Sequence, residues 1–91
     1  MFLRWTSLAE GDMGRLCDFM GAVNPQAAAQ VTQNIVSKAG QLLFHPQLGV
    51  QLPEFAPRDV RRLIIGDYEL RYEVTEKGIF ILRVWHAHED R

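Results

Sequence analysis

The side chains best suited to acid–base or phosphate chemistry lie in the last third of this 91-residue sequence. Residues 58–91 contain seven of the ten lysines and arginines, although the whole chain has a net charge of −1. Arg61 and Arg83 are candidates for a patch that contacts an anionic target. His86 is a candidate acid or base, because imidazole is the side chain most often used for proton transfer near neutral pH.

The two arginines also have an ordinary structural interpretation. On neighbouring strands of a sheet they could form ion pairs with Glu69 or Glu73. Arg62 has the opposite strand parity to Arg61, so we expect it to be solvated. The sequence alone leaves the binding and the ion-pairing interpretations equally open.

Metal and thiol chemistry have weaker support. His86, His88 and Asp90 are a weak zinc signal, and a polar strand end is the better interpretation. Cys17 is the single cysteine, which excludes an intramolecular disulfide and zinc sites built on three or four cysteines. We expect no metal and no cofactor.

Composition favours one small folded domain over residues 1–91, with 47% hydrophobic and 23% charged residues. The nearly neutral charge argues against sequence-independent nucleic-acid binding through a basic face. No apolar run approaches the roughly 18 residues of a membrane span. A lone thiol suits a reducing compartment, so we expect a cytoplasmic protein without membrane contact.

A short strand and two helices are predicted in the first half of the chain. Residues 2–6 alternate as a strand, and Ser7 with Glu10 forms a capping box that begins a helix. Asn24-Pro25 begins a second helix over 25–44. Its apolar stripe consists of Ala28, Val31, Ile35, Ala39 and Leu42, widened by Val36 and Leu43.

Three strands are predicted at 59–65, 68–74 and 79–86, after an irregular connection at 45–57. The order β-α-α-β-β-β predicts an α+β domain, in which a helical hairpin covers one face of a four-stranded, mostly antiparallel sheet. The connection is long for so small a domain, so we treat it as a candidate contact surface.

Several segments together resemble a known group of proteins. They are L-R-W-T at 3–6, N-P-Q-A-A at 24–28, L-L-F-H-P-Q-L-G at 42–49, R-D-V-R-R-L-I-I-G-D-Y-E-L-R-Y-E-V at 58–74 and I-F-I-L-R-V-W-H-A-H-E-D-R at 79–91. In this order, over nearly the whole chain, they resemble the RelE/ParE superfamily of bacterial toxins, and most of all its ParE-type branch.

The resemblance implies the toxin of a type II toxin–antitoxin pair. Its partner would be a cognate, ParD-like antitoxin, small and partly disordered, that forms a hetero-oligomer with it. ParE-type toxins poison DNA gyrase, whereas RelE-type toxins on the same scaffold cut messenger RNA on the ribosome. The resemblance implies no sequence-specific nucleic-acid binding, and the fold alone does not choose between these activities.

Compared with the RNA-cutting branch, Arg61 falls at a basic position and His86 where some relatives have a histidine. Glu69, however, stands where a phosphate-binding arginine is expected, and the chain end after His86 is short. We therefore expect a gyrase inhibitor that acts by binding. The alternatives are an endoribonuclease using His86, Arg61 and Arg83, or a relic that only binds its antitoxin.

Two sets of contact residues are predicted. The target-binding set consists of Arg61, Arg83, His86, His88 and Arg91. The antitoxin-binding set consists of Trp5, as a candidate binding anchor, and of Leu16, Phe19 and Met20. The first predicted helix has more apolar residues than one buried stripe needs, so these three could flank a groove for an antitoxin helix. For both Trp5 and Trp85, packing in or beside the core is the expected role.

Overall fold

A five-stranded sheet with two helices on one face makes up the computed structural model, which describes residues 1–87. The elements are β1 (Phe2–Trp5), α1 (Ser7–Val23), α2 (Pro25–Gln41), β2 (Val50–Gln51), a 3₁₀ turn (Pro53–Phe55), β3 (Asp59–Ile65), β4 (Tyr68–Val74) and β5 (Gly78–His86). The strand order is β1-β5-β4-β3-β2, with β1 parallel to β5 and every other pair antiparallel. The predicted α+β class is confirmed.

The predicted strand count is one too low, because the connection at 45–57 contains β2. This strand has only two residues, and Val50 pairs with Arg62 while Gln51 pairs with Arg61. Two residues are too few to show an alternating pattern, so no sequence signal marks them. The strand is held by contacts that Gly49 and its neighbours make with β3 and β4.

The two helix starts follow from capping side chains. The α1 N-cap is Thr6, whose hydroxyl accepts a hydrogen bond from the Ala9 N–H at 3.2 Å, so the predicted cap at Ser7 is wrong by one residue. Asn24 caps α2 as predicted, through a 3.1 Å bond from the Ala27 N–H, with Pro25 in the first turn.

The helical hairpin buries its apolar stripe against the central strands. The core includes Ala9, Ile35, Ala39 and Leu42 from the helical side and Leu70, Tyr72, Ile79, Ile81 and Val84 from the sheet. The predicted widening of the stripe is wrong, since Val36 and Leu43 are exposed. The helix ends at Gln41, three residues before the predicted end.

The position of α1 follows from where β1 ends. β1 pairs only with Gly78–Ile81 of β5, and beyond this a register shift leaves Leu82 without an opposite residue on β4. Because of this bulge, Ile81 and Val84 both face the helices. The uncovered edge of β5 is occupied by Asp12 of α1, whose Oδ2 accepts the Val84 N–H at 2.9 Å. Within residues 1–87, no helix is long and apolar enough to cross a membrane.

Candidate functional site

A groove of about 460 Å³ lies between α1 and the adjoining ends of β4 and β5. The described residues that line it are Asp12, Arg15, Leu16, Phe19, Met20, Tyr68, Arg83, Val84, Trp85 and His86. Both helix and sheet therefore contribute apolar and polar side chains to the groove.

The apolar wall of the groove comes from the second half of α1. Leu16 and Met20 are half-buried, whereas the Phe19 side chain is 79% exposed at the groove's margin. The Tyr68 hydroxyl donates to the Met20 sulfur at 3.1 Å, which links this wall to β4. A phenyl ring this exposed adds nothing to the core and is available to a partner.

The polar side of the groove is organised by Asp12. Its carboxylate accepts two hydrogen bonds from the Arg83 guanidinium, at 2.8 and 3.0 Å, and also pairs with Arg15. Burial raises the pKa of Asp12, but hydrogen bonds from Arg83, the Val84 N–H and Arg15 outweigh it and hold this pKa below its ordinary value. The carboxylate is thus ionised near neutral pH and fixes Arg83 at the groove.

His86 closes the groove at the end of β5. It pairs in register with Tyr68, and the two rings meet edge to face with centroids 5.3 Å apart. The described lining has two guanidinium groups and one carboxylate, so within residues 1–87 the groove lining carries an excess positive charge. This combination of an apolar wall and a cationic rim suits an acidic, amphipathic partner.

The structure brings together residues from both predicted sets. Arg83 and His86, predicted to contact the target, lie in the same groove as Leu16, Phe19 and Met20, predicted to contact the antitoxin. His88 and Arg91 lie outside the described residues, as does Asp90 of the weak zinc signal. Within residues 1–87, no three histidine, cysteine or acidic side chains form a group that could hold a metal ion.

Arg61 lies elsewhere in the sheet. It pairs with Tyr72, and His86 pairs with Tyr68, so about 13 Å along β4 separates the two positions. The Arg61 guanidinium donates to Asp59 at 2.9 Å and to the Gly49 carbonyl at 3.0 Å. It therefore stabilises the connection before β3.

Trp5 is also separate from the described groove lining. It pairs in register with Ile81 and packs, half-buried, against the core. Trp85 is nearly buried on the other face of the sheet, with the Arg71 guanidinium 4.7 Å from its ring centroid. The expected packing roles of both tryptophans are confirmed.

The ion-pairing interpretation of Arg61 and Arg83 is correct in kind but wrong in its partners. Their described carboxylate partners are Asp59 and Asp12. Glu69 pairs with Arg71 at 3.2 Å, and Glu73 pairs with Arg58 at 2.9 Å.

Asp12 is the residue that the sequence analysis missed. It lies three residues after Ala9 and four before Leu16, on the helix face that packs against the sheet. A carboxylate inside an apolar helical stripe is the signal that could have revealed it, because a buried charge needs partners.

Known proteins are similar to this chain in sequence and, for one of them, in structure. Toxin RelE2 of Caulobacter vibrioides is 29% identical over 84 residues, which cover 91% of each chain. A solved structure described as the chromosomal ParDE TA system from P. aeruginosa has a TM-score of 0.80 and 27% identity, with 97% of each chain covered. The family model for the ParE toxin of the type II toxin–antitoxin system parDE matches residues 3–91. The chain therefore belongs to the ParE family of type II toxins, as its sequence motifs indicated.

Proposed function

We propose that this ParE-type toxin inhibits DNA gyrase by binding and is neutralised when a cognate antitoxin occupies the groove between α1 and β5. The observation that carries the antitoxin proposal is the groove itself, with an exposed apolar wall beside Arg15 and Arg83. The relative from P. aeruginosa is described as a ParDE TA system, which supports a paired antitoxin for this chain. Both partners would meet the toxin in the cytoplasm.

The groove chemistry defines what the antitoxin segment must offer. Apolar side chains would pack against Leu16, Phe19 and Met20, and carboxylates would approach the two arginines. A small, ParD-like antitoxin with a partly disordered acidic segment meets both conditions, since such a segment orders as it binds. The complex is then a hetero-oligomer in which the toxin presents a preformed surface.

Replacing Phe19 by serine is expected to weaken antitoxin binding by about tenfold to a hundredfold, because the complex loses the burial of one phenyl ring. The measurement is calorimetric titration of the purified toxin with the antitoxin encoded beside it. Ile64→Ser is the matched control, since Ile64 is 54% exposed and alternates with core residues on β3. Equal affinities of the parent chain and of Phe19→Ser for the antitoxin would show that the antitoxin does not bind in this groove.

The surroundings of the candidate catalytic groups favour inhibition of gyrase by binding over RNA cleavage. Arg61 is bound to Asp59 and Gly49 and lies well away from His86. The β4 position expected to hold a phosphate-binding arginine holds Glu69, a nearly buried carboxylate. A negative charge there opposes the charge that develops on a phosphate during cleavage.

The toxin is expected to abolish supercoiling of relaxed plasmid by purified gyrase when it is saturating, and its antitoxin is expected to restore supercoiling. Toxin denatured before addition is the control. Complete supercoiling at saturating toxin would contradict gyrase as the target. If expression of the toxin alone also left growth unchanged, the chain would be a relic that only binds its antitoxin.

Ribosome-dependent cleavage of messenger RNA is the second candidate, and one observation favours it. A relative is named Toxin RelE2, and His86 lies with Arg83 at the groove. Primer extension on translated message separates the two functions. Codon-linked cuts that disappear in His86→Ala would establish cleavage, whereas their absence together with gyrase inhibition supports the first proposal.

A further inference from the structure

One large part of the surface has almost no charge. From Phe19 to Pro53 the sequence contains a single charged residue, Lys38, although 23% of the whole chain is charged. This segment includes all of α2 and most of the connection to β3. Protein surfaces that face water normally carry interspersed charges, and the centres of protein–protein interfaces are depleted of them.

The same segment exposes large apolar side chains. Phe44 is 81% exposed and Val36 51% exposed, and the neighbouring Leu43, Leu48 and Val50 are exposed as well. We call these five residues the apolar patch. Val36 lies in the second half of α2 and Leu43 in the turn after its end, and Phe44 and Leu48 line a surface depression beyond it. Several large apolar side chains exposed within one charge-poor segment are typical of an interaction surface.

Small side chains extend the patch along the helices. A shallow groove of about 780 Å³ runs over the outer side of the hairpin, and Gly21, Ala28, Ala29 and Ser37 line it beside Val36. Small residues allow another backbone to approach closely. A helix or loop of a partner molecule can therefore approach this groove closely while the partner covers the apolar patch.

The patch is held in one conformation by buried polar groups. The Tyr72 hydroxyl donates to the Pro46 carbonyl at 2.8 Å and accepts the Gly49 N–H at 2.7 Å. Arg61 adds a bond to the Gly49 carbonyl. Because the connection is already ordered, covering it costs little conformational entropy.

We propose that the apolar patch and the outer face of α2 form a two-fold interface with a second copy of this chain. In such an interface the same surface of each copy is used, so a surface whose charges all have one sign would face charges of that sign. Because Lys38 is the single charged residue of the segment, this repulsion is small. The groove at α1 and β5 has the opposite character, with excess positive charge, and suits a partner that differs from the toxin.

The exposed area of the apolar patch determines how tightly we expect the dimer to form. Its five side chains expose on the order of 400 Å², about half of the roughly 800 Å² that each partner contributes to a standard interface. The hairpin groove supplies further area. We therefore expect a dimer with a dissociation constant in the range of about 1–50 µM, not a permanent assembly.

Analytical ultracentrifugation of the purified toxin without antitoxin tests this proposal. The mass is expected to rise from 10.4 kDa towards twice that value as the concentration increases. Phe44→Glu and Val36→Glu are each expected to raise the dissociation constant by at least about thirtyfold, because each places an unpaired carboxylate in an apolar interface. Phe19→Glu places the same charge on an equally exposed phenyl position outside the patch and should leave the dimer unchanged.

Hydrogen exchange on the unmodified chain provides an independent readout that needs no substitution. Amides of residues 36–50 should exchange more slowly at high than at low protein concentration, while those of α1 near Phe19 should not change. A mass that stays at 10.4 kDa up to about 200 µM would overturn the proposal. So would a dimer that Phe19→Glu disrupts as strongly as Phe44→Glu, or protection of 36–50 that appears only when the antitoxin is added.

Discussion

Replacing Asp12 by alanine is expected to lower the free energy of unfolding by about 3 kcal/mol, because it removes a buried charge with several partners. The Asp12 carboxylate is the described acceptor for the Val84 N–H and for two nitrogens of Arg83. Without it, the Val84 N–H at the edge of β5 loses this hydrogen-bond partner, and the Arg83 guanidinium loses its ion pair with Asp12. Urea denaturation at neutral pH measures the difference.

Asp12→Asn is the informative companion variant. The amide oxygen can still accept the Val84 N–H, but it supplies no charge for Arg83. We expect a loss of about half that of the alanine variant. A loss below about 0.5 kcal/mol in Asp12→Ala would show that Asp12 does not hold α1 against β5.

The pH dependence of stability gives a second measure of the same group. Since the pKa of Asp12 is lowered on folding, its contribution is present above the unfolded-state pKa of about 3.9 and is lost as pH falls through the lower folded-state value. Asp12→Asn should reduce the acid sensitivity of the toxin. Some sensitivity should remain, because hydrogen bonds from Arg58 also lower the pKa of Glu73.

The parts of the fold that could be predicted depend on local signals. Asn24 followed by Pro25 marks a helix start by side-chain geometry alone, and the alternation from Tyr68 to Val74 specifies which side chains of β4 face the helices. Thr6 and Ser7 are equally good caps by residue type. Pairing of β1 with β5 decides between them, since Thr6 N–H donates to the Ile81 carbonyl and holds Thr6 in an extended conformation.

The candidate site could be predicted only in part from the sequence, because it is formed by contacts between residues far apart in the chain. Asp12 and Arg83 are separated by 71 residues, so no spacing pattern connects them. By sequence alone, Arg61 and Arg83 form one candidate group, because both are basic residues on predicted strands. The bulge at Leu82 and the hydrogen bonds of the connection before β3 assign the two arginines to different regions. Residue type predicted candidates, and long-range packing decided which of them meet.

Replacing Tyr72 by phenylalanine is expected to cost about 2–3 kcal/mol of stability and to loosen the connection before β3. The Tyr72 side chain is fully buried, and its hydroxyl bonds both the Pro46 carbonyl and the Gly49 N–H. Phenylalanine fills the same space but leaves both backbone groups without this partner. Denaturation gives the global loss, and faster hydrogen exchange confined to residues 46–51 would show its local origin.

The surroundings of Tyr72 supply the controls for this prediction. Tyr68→Phe removes a hydroxyl that donates to the weak acceptor sulfur of Met20, and should cost about 1 kcal/mol or less. Gly49→Ala should disturb the same connection as Tyr72→Phe, because a Cβ at Gly49 would stand 2.6 Å from the Arg62 carbonyl oxygen and 2.8 Å from the Tyr72 hydroxyl. If Tyr72 and Gly49 act as one unit, the double variant will lose less stability than the two single losses added together.

Burial also raises the pKa of Tyr72, so its contribution should persist below about pH 10 and disappear as pH rises through the higher folded-state value. Identical alkaline denaturation of Tyr72→Phe and the parent chain would contradict this role.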